Sequence, residues 1–394
     1  MNFKDRKGYL ERVRNRKMAQ SPHAYVRGSV IRFYEWLGRN GSALPQGPAI
    51  WICGDCHLGN LGALADLEGN VDIQIRDFDQ TVIGNPAHDL VRLGLSLASA
   101  IRSSDLPGVT TARMLVQLLV GYVSASRGPD KGRDSQTKPK TLRSLIQHAV
   151  RRRWHALAME RLETMSAVLP RSKRFWPLHR GERHQVLTFV QSTDVSRLSP
   201  DVDKARRGKL KVLDAAYWIK GCSSLGHLRY AALVQGRHSR MALLDLKEAT
   251  TAVAPSSPDA TMPRGHAERV IAGARALSPH LGERMLSGTV MGRPVFVREV
   301  TPQDLKLEID RLNSMQIEAI ARHLGGIVGK AHRRQMDAGT WRLWTKELLR
   351  SDGSEMDTPS WLWASVIDLL ADHEVAYLEH CRRFALDKRE VSVR

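Results

Sequence analysis

The run Gly54-Asp55-Cys56-His57-Leu58-Gly59-Asn60, followed by Ile75-Arg76-Asp77-Phe78-Asp79, gathers the residue types that phosphoryl transfer requires. Asp55 precedes Asn60 by five residues, and Asp77 lies seventeen beyond Asn60. A carboxylate at Asp55 would orient or accept the proton of an attacking hydroxyl. An amide oxygen at Asn60 and a second carboxylate at Asp77 would hold Mg2+ against phosphates, because that hard cation takes oxygen ligands. His57 would orient the loop through its ring nitrogens. Any one of these positions alone reads as an ordinary turn residue. The whole run, with a strand predicted on each side, reads as a site.

Ala49 to Cys53 is a short apolar run that predicts a buried strand, and Val71 to Arg76 alternates apolar and polar. Leu61 to Leu64 predicts a third strand, with Glu68-Gly69-Asn70 as its turn. Residues 5–40 carry helical spacing with a break at Ser21-Pro22. Residues 87–103 and 110–126 predict apolar helices, and 141–168 a basic one. Gly128 to Pro139 reads as a Gly/Pro/Lys excursion, and 170–210 shows little periodicity. From Leu213 the pattern turns sheet-like: strands over 215–219, 229–234 and 241–247, a loop from Pro255 to Pro263, a helix over 267–277 and a strand over 293–300. From Met315 onward it is helical, and there is no internal repeat.

The Gly54–Asn60 run resembles the catalytic loop of the aminoglycoside phosphotransferase and protein-kinase-like superfamily. Asp77-Phe78-Asp79 resembles its metal-binding segment, and Gly84 to Leu90 the segment after it, in which the late Asp, here Asp89, is structural. That superfamily places a Gly-rich loop and a strand Lys before the catalytic loop, whereas only 54 residues with a helical pattern precede Asp55. The missing parts follow instead. Gly221-Cys222-Ser223-Ser224-Leu225-Gly226 lies between two predicted strands, where glycines let backbone N–H groups approach phosphate. Lys247 ends the next strand and would reach the phosphates of ATP as a point charge. Glu268, on the following helix, would pair with Lys247. Val295 to Val300 would lead into the hinge, and Gly329-Lys330-Ala331-His332 resembles the helix before the catalytic loop.

Taken from 213 to 394 and then from 1 to 200, these elements fall into kinase order. The expectation is therefore an α+β, two-lobed, circularly permuted kinase-like fold, since permutation is tolerated when the original termini lie close together. Residues 213–300 would form the small antiparallel-sheet lobe. Residues 1–212, with the catalytic loop, and 301–394 would form the larger helical lobe. The pattern as a whole resembles the domain-of-unknown-function 2252 family of uncharacterised bacterial proteins. Its marks here are Arg16-Lys17-Met18, Ser21 to Gly28, the Gly54–Asn60 loop, Asp77-Phe78-Asp79, the Gly221–Gly226 turn, Leu246 to Ala249 and Phe296 to Glu299. The turn departs from the family in being less glycine-rich. The resemblance implies ATP and Mg2+ as cofactors and names no acceptor. Arg27 has two readings: it projects toward phosphate or acceptor, or it forms a structural ion pair.

The formal net charge of +19, densest from Lys131 to Arg183, suits an anionic partner or a merely solvated basic surface. Few aromatics interleave with that charge, which disfavours single-strand stacking on nucleic acid. Cys53-Gly54-Asp55-Cys56-His57 matches the c-type haem spacing, but no export signal opens the sequence. Zinc at Cys53, Cys56 and His57 lacks a second paired ligand set, because Cys222 and Cys381 lie far off. Four cysteines and no long apolar run predict a cytoplasmic protein without a membrane span. The function expected is ATP/Mg2+-dependent phosphoryl transfer to a small-molecule hydroxyl or amine. The alternatives are a non-catalytic nucleotide-binding protein and, behind it, a basic nucleic-acid-binding module.

Overall fold

The computed structural model describes residues 3–102, 106–125, 139–152, 154–162, 166–196, 198, 210–236, 241–306, 313–350 and 360–384. The excursion read from Gly128 lies outside the described residues up to Pro139, as does most of the stretch from 197 to 209. Three helices open the chain: α1 (Phe3–Met18), α2 (Pro22–Gly28) and α3 (Val30–Asn40). The predicted break holds, because the Ser21 hydroxyl caps α2 by accepting from the Ala24 N–H at 3.0 Å.

Four strands follow, β1 (Ile50–Ile52), β2 (Leu61–Ala65), β3 (Val71–Ile75) and β4 (Val82–Gly84), and then the helices α4 (Ala87–Ile101) and α5 (Gly108–Val123). The basic segment forms two helices, α6 (Lys140–Arg151) and α7 (Trp154–Leu162), parted where Arg152 turns to extended backbone. Next come β5 (Phe175–Trp176), α8 (Arg180–Val190), β6 (Lys211–Trp218), β7 (Arg229–Gln235), β8 (Met241–Glu248), α9 (His266–Leu277), β9 (Met285–Val290), β10 (Arg293–Val300) and β11 (Leu305–Lys306). The chain closes with α10 (Ser314–Arg333), α11 (Ala338–Leu348) and α12 (Ser360–Phe384). No helix among the described residues is long and apolar enough to cross a membrane.

This is a mixed α/β protein with antiparallel sheets. The largest has six strands in the order β5-β6-β7-β8-β10-β9. Its β8 alternates strictly. Ala242, Leu244 and Leu246 pack with Ala215, Tyr217, Tyr230, Ala232, Val295 and Val297 in one apolar layer. Leu243, Asp245 and Lys247 therefore share the opposite face. Across that face Arg229 of β7 and Phe296 of β10 stand directly opposite Lys247, and Arg298 opposite Asp245. Two smaller sheets, β1-β4 and β11-β2-β3, lie beside the helices. There the main core joins α3, α4, α5, α10, α11 and α12, with Leu90, Leu93, Leu118, Leu324 and Leu362 all fully buried.

Candidate active site

β1 delivers the chain to Cys53 and Gly54, and a carboxylate from α4 fixes it there. Asp89 accepts the N–H of Cys53 at 2.8 Å and of Gly54 at 2.9 Å. Gly54 sits at φ 76°, and a Cβ there would come within 2.1 Å of the Gln80 carbonyl oxygen, so only glycine fits. Behind Asp89 runs a buried relay. Trp344 Nε1 donates to the Tyr122 hydroxyl at 3.0 Å, which lies 2.9 Å from His332 Nδ1, and His332 Nε2 lies 3.2 Å from Asp89. Because Trp344 can only donate, the tyrosine O–H is left to donate to Nδ1. His332 then carries its proton on Nε2, toward the carboxylate.

Asp55 faces outward from this fixed backbone, with its side chain 14% exposed. Arg92, fully buried in the otherwise apolar run Leu90 to Leu93, donates from Nε to Asp55 Oδ1 at 2.8 Å. Burial pushes the Asp55 carboxyl above its usual range, and Arg92 holds part of that rise back. His57 Nε2 lies 3.8 Å from Asp55 Oδ2. Burial, reinforced by Arg92 and Arg27, pushes His57 well down, so its ring is neutral. Asn60 donates its amide to the Asp55 carbonyl at 2.8 Å, which ties the two ends of the loop together.

The second carboxylate group meets the six-stranded sheet. Lys247 Nζ lies 3.3 Å from both oxygens of Asp77 and also contacts Asp79. Burial raises Asp77, but Lys247, Arg298 and Arg229 outweigh it and hold the carboxyl well below the usual range. Burial and the neighbouring Asp77 push Asp79 up to about 6. Lys247 stays charged, because the two carboxylates overcome its desolvation. Beside it Arg229 grips Asp245 in a bidentate pair at 2.9 and 2.6 Å. Lys220 also approaches Asp245, at 3.4 Å, with its ammonium over the Trp218 ring.

The turn at 221–226 joins β6 to β7, with Gly221 at φ 82° and Gly226 at φ 100°. Ser223 is exposed. The Ser224 hydroxyl is not free for phosphate: it donates to the Lys220 carbonyl at 2.6 Å and accepts from Arg229 at 3.1 Å. Glu268 departs from expectation. It stands exposed at the start of α9, and no ion pair joins it to Lys247, which is already held by Asp77 and Asp79. Glu248, next to Lys247 on β8, is also committed elsewhere: it accepts the Leu228 N–H at 2.7 Å and pairs with Arg293. Asp79, Arg92 and the Arg229–Asp245 pair escaped sequence reasoning. The second Asp of Asp77-Phe78-Asp79 was a visible signal, whereas Arg92 in an apolar helix pattern gave none.

A family model for uncharacterized proteins conserved in bacteria, DUF2252, matches residues 6–383. The chain belongs to the DUF2252 family. No curated protein and no solved structure matches it. The loop, the metal-like segment and the sheet lysine of this DUF2252 protein all lie inside the matched span.

Oxygen donors suit a divalent cation here. Asp79 Oδ1 is buried without a hydrogen-bond partner, and Asp77 beside it offers a carboxylate held well below its usual range. The sulfur-containing group differs. Cys53, Cys56 and Asp89 bring ligand atoms within 4.8 Å of one another, but Asp89 is already committed to two backbone N–H groups and His332. His57, expected beside the two cysteines in a zinc reading, is absent from that group and faces Asp55 instead.

Proposed function

We propose that this DUF2252 protein is an ATP/Mg2+-dependent phosphotransferase of circularly permuted kinase-like design, acting on a hydroxyl or amine of a small molecule. The observation that carries the reading is the contact of Lys247 with Asp77 and Asp79, residues that sequence order keeps 170 and 168 positions apart. Further support comes from the sheet. In its order β5-β6-β7-β8-β10-β9 the 221–226 turn lies between β6 and β7 and Lys247 is the penultimate residue of β8, with α9 following in the chain. Support also comes from Asp89, which holds the loop backbone as the late Asp of that superfamily is expected to do.

In this reading Mg2+, when bound, neutralises charge developing on the transferred phosphoryl group. Asp77, Asp79 and Asn60 would hold it. Lys247, beside those carboxylates, would supply an ammonium for the nucleotide phosphates. Asp55 takes the proton of the attacking hydroxyl, aided by burial that raises its pKa above the usual carboxylate range. Arg92 keeps its carboxylate oriented, and Asp89 keeps the loop rigid. One observation favours a non-catalytic nucleotide-binding protein: Glu268 does not brace Lys247.

The deciding experiment is thermal unfolding with Mg-ATP, on wild type and Asp77→Ala. A nucleotide- and metal-dependent rise in Tm that Asp77→Ala abolishes is the expected result. A rise that persists in the variant contradicts the metal assignment. Incubating a metabolite pool with labelled ATP then separates the two readings, because only the enzyme transfers label.

A further inference from the structure

We propose that Arg27, with His23 beside it, binds an oxyanion, a carboxylate or phosphate, carried by the acceptor molecule. The identification of that molecule as acceptor rests on the phosphotransferase reading, whereas the anion site does not. Arg27 lies in the last turn of α2, and the neighbouring Val26 carbonyl accepts from Arg92 Nη2 at 2.5 Å. The same Arg92 holds Asp55. The Arg27 guanidinium lies over Gly59, where a Cβ would sit 2.9 Å from Nε and 3.0 Å from Nη2. On its other side Gly28 approaches Cys222, with a Cβ position 3.2 Å from the sulfur. Lys17 donates to the Gly221 carbonyl at 3.1 Å. The amino-terminal helices therefore bridge the catalytic loop and the 221–226 turn, with Arg27 between them.

Arg27 has no ion-pair or hydrogen-bond partner among the described residues, so none of them supplies the structural ion pair of its other reading. Arg92 has Asp55, Lys247 has Asp77 and Asp79, and Arg229 has Asp245. Around Arg27, four buried nitrogens lack partners: its own Nε, His23 Nδ1, His57 Nδ1 and Arg92 Nη1. His57 and Arg92 are more than nine-tenths buried, while His23 and Arg27 keep an opening to solvent. Burying such donors unsatisfied is costly unless a ligand completes them. Burial, then Arg27 and Arg92, push His23 down, and the same two cations act on His57. The field there is positive: Arg92 bonds the carbonyl of Val26 next to Arg27, and His57 lies two residues from the Gly59 that Arg27 covers. A planar guanidinium fork with imidazoles able to donate from either ring nitrogen suits the oxygens of a carboxylate or phosphate.

Inorganic phosphate and acetate serve as probes, titrated calorimetrically against full-length wild type, Arg27→Gln and Asp77→Ala without nucleotide. Phosphate should bind wild type and Asp77→Ala equally, and Arg27→Gln should lose about tenfold in affinity or more while keeping its Mg-ATP thermal shift. Equal phosphate affinity in Arg27→Gln and wild type overturns the proposal. So does a loss in Asp77→Ala as large as in Arg27→Gln, because the anion then belongs to the nucleotide site. If wild type ignores Mg-ATP but still binds phosphate through Arg27, the anion site stands and the phosphotransferase reading falls. Should Arg27→Gln not fold, Gly59→Ala pushes a methyl against the guanidinium. It should weaken phosphate binding about threefold or more, and unchanged affinity there also counts against the site.

Discussion

Lys247 Nζ stands 3.3 Å from each carboxylate oxygen of Asp77, although 170 residues separate the two in the chain. Asp79 shares the same ammonium, so one cation balances two acids. The sheet and the loop-bearing helices are locked together electrostatically at the point where chemistry is proposed.

Lys247→Met leaves both acids without that counter-ion. Because Asp77 is 38% exposed, solvent screens part of the loss. The expected destabilisation is about 1–3 kcal/mol rather than the larger cost of a fully buried pair. Urea denaturation measures it, and nucleotide-dependent stabilisation should vanish in the same variant. A Lys247→Met protein that keeps both its stability and its response to Mg-ATP contradicts the pairing and its role.

Asp55→Asn should retain Mg-ATP binding and lose turnover by at least about two orders of magnitude. The wild-type acid limb of kcat/KM should lie above the ordinary Asp value of 3.8, because the base must be ionised and burial raises its pKa. Arg92→Gln removes the restraint and should move that limb to still higher pH. In linkage terms the folded state binds the Asp55 proton more tightly than the unfolded chain. Its contribution to stability therefore falls as pH rises from 3.8 through the raised value. An acid limb unmoved by Arg92→Gln would remove Asp55 from the profile.

Asp79 offers a separate test in stability alone. Its folded pKa of about 6 exceeds the unfolded 3.8, so it opposes folding increasingly as pH climbs between those values. Asp77 behaves oppositely, but its contribution is already complete above 3.8 and is lost only as pH falls well below it. Across pH 4 to 6 wild-type stability should therefore carry a downward component that Asp79→Asn abolishes. Denaturant midpoints at several pH values would reveal the slope, and an identical slope in the variant would refute the assignment.

Tyr122→Phe strands Trp344 Nε1 and His332 Nδ1 in the core, since the hydroxyl serves both. A loss of about 1–3 kcal/mol in chemical denaturation is expected for buried groups left unsatisfied. Turnover should fall as well, because His332 orients Asp89 and Asp89 holds Gly54. Full activity in a destabilised Tyr122→Phe protein would separate the relay from the loop's alignment.

Local pattern carried much of this arrangement. The Gly54–Asn60 run, the strands around it and the strand over 241–247 were readable because each is set by neighbours a few residues away. Asp245 and Lys247 lie on one face of β8 simply because strands repeat every two residues. Three features were not readable. Arg92 hides in an apolar helix because its charge is satisfied by Asp55, a long-range fact. Glu268 was expected to brace Lys247, but the ammonium has closer acids in a loop that pattern could not bring to it. β9 was missed because Ser287, Gly288 and Thr289 interrupt the apolar signal in what proves to be the terminal strand of its sheet.

The Lys247–Asp77 closure also has a consequence in time. A ribosome adding about 5–20 residues per second completes Asp77 roughly ten to thirty seconds before it reaches Lys247. Throughout that interval the nascent carboxylates lack Lys247, and for most of it the turn at 221–226 does not yet exist. If the proposed phosphotransferase reading holds, a half-made chain lacks the lysine and the turn that reading assigns to nucleotide, and both arrive only with the later half.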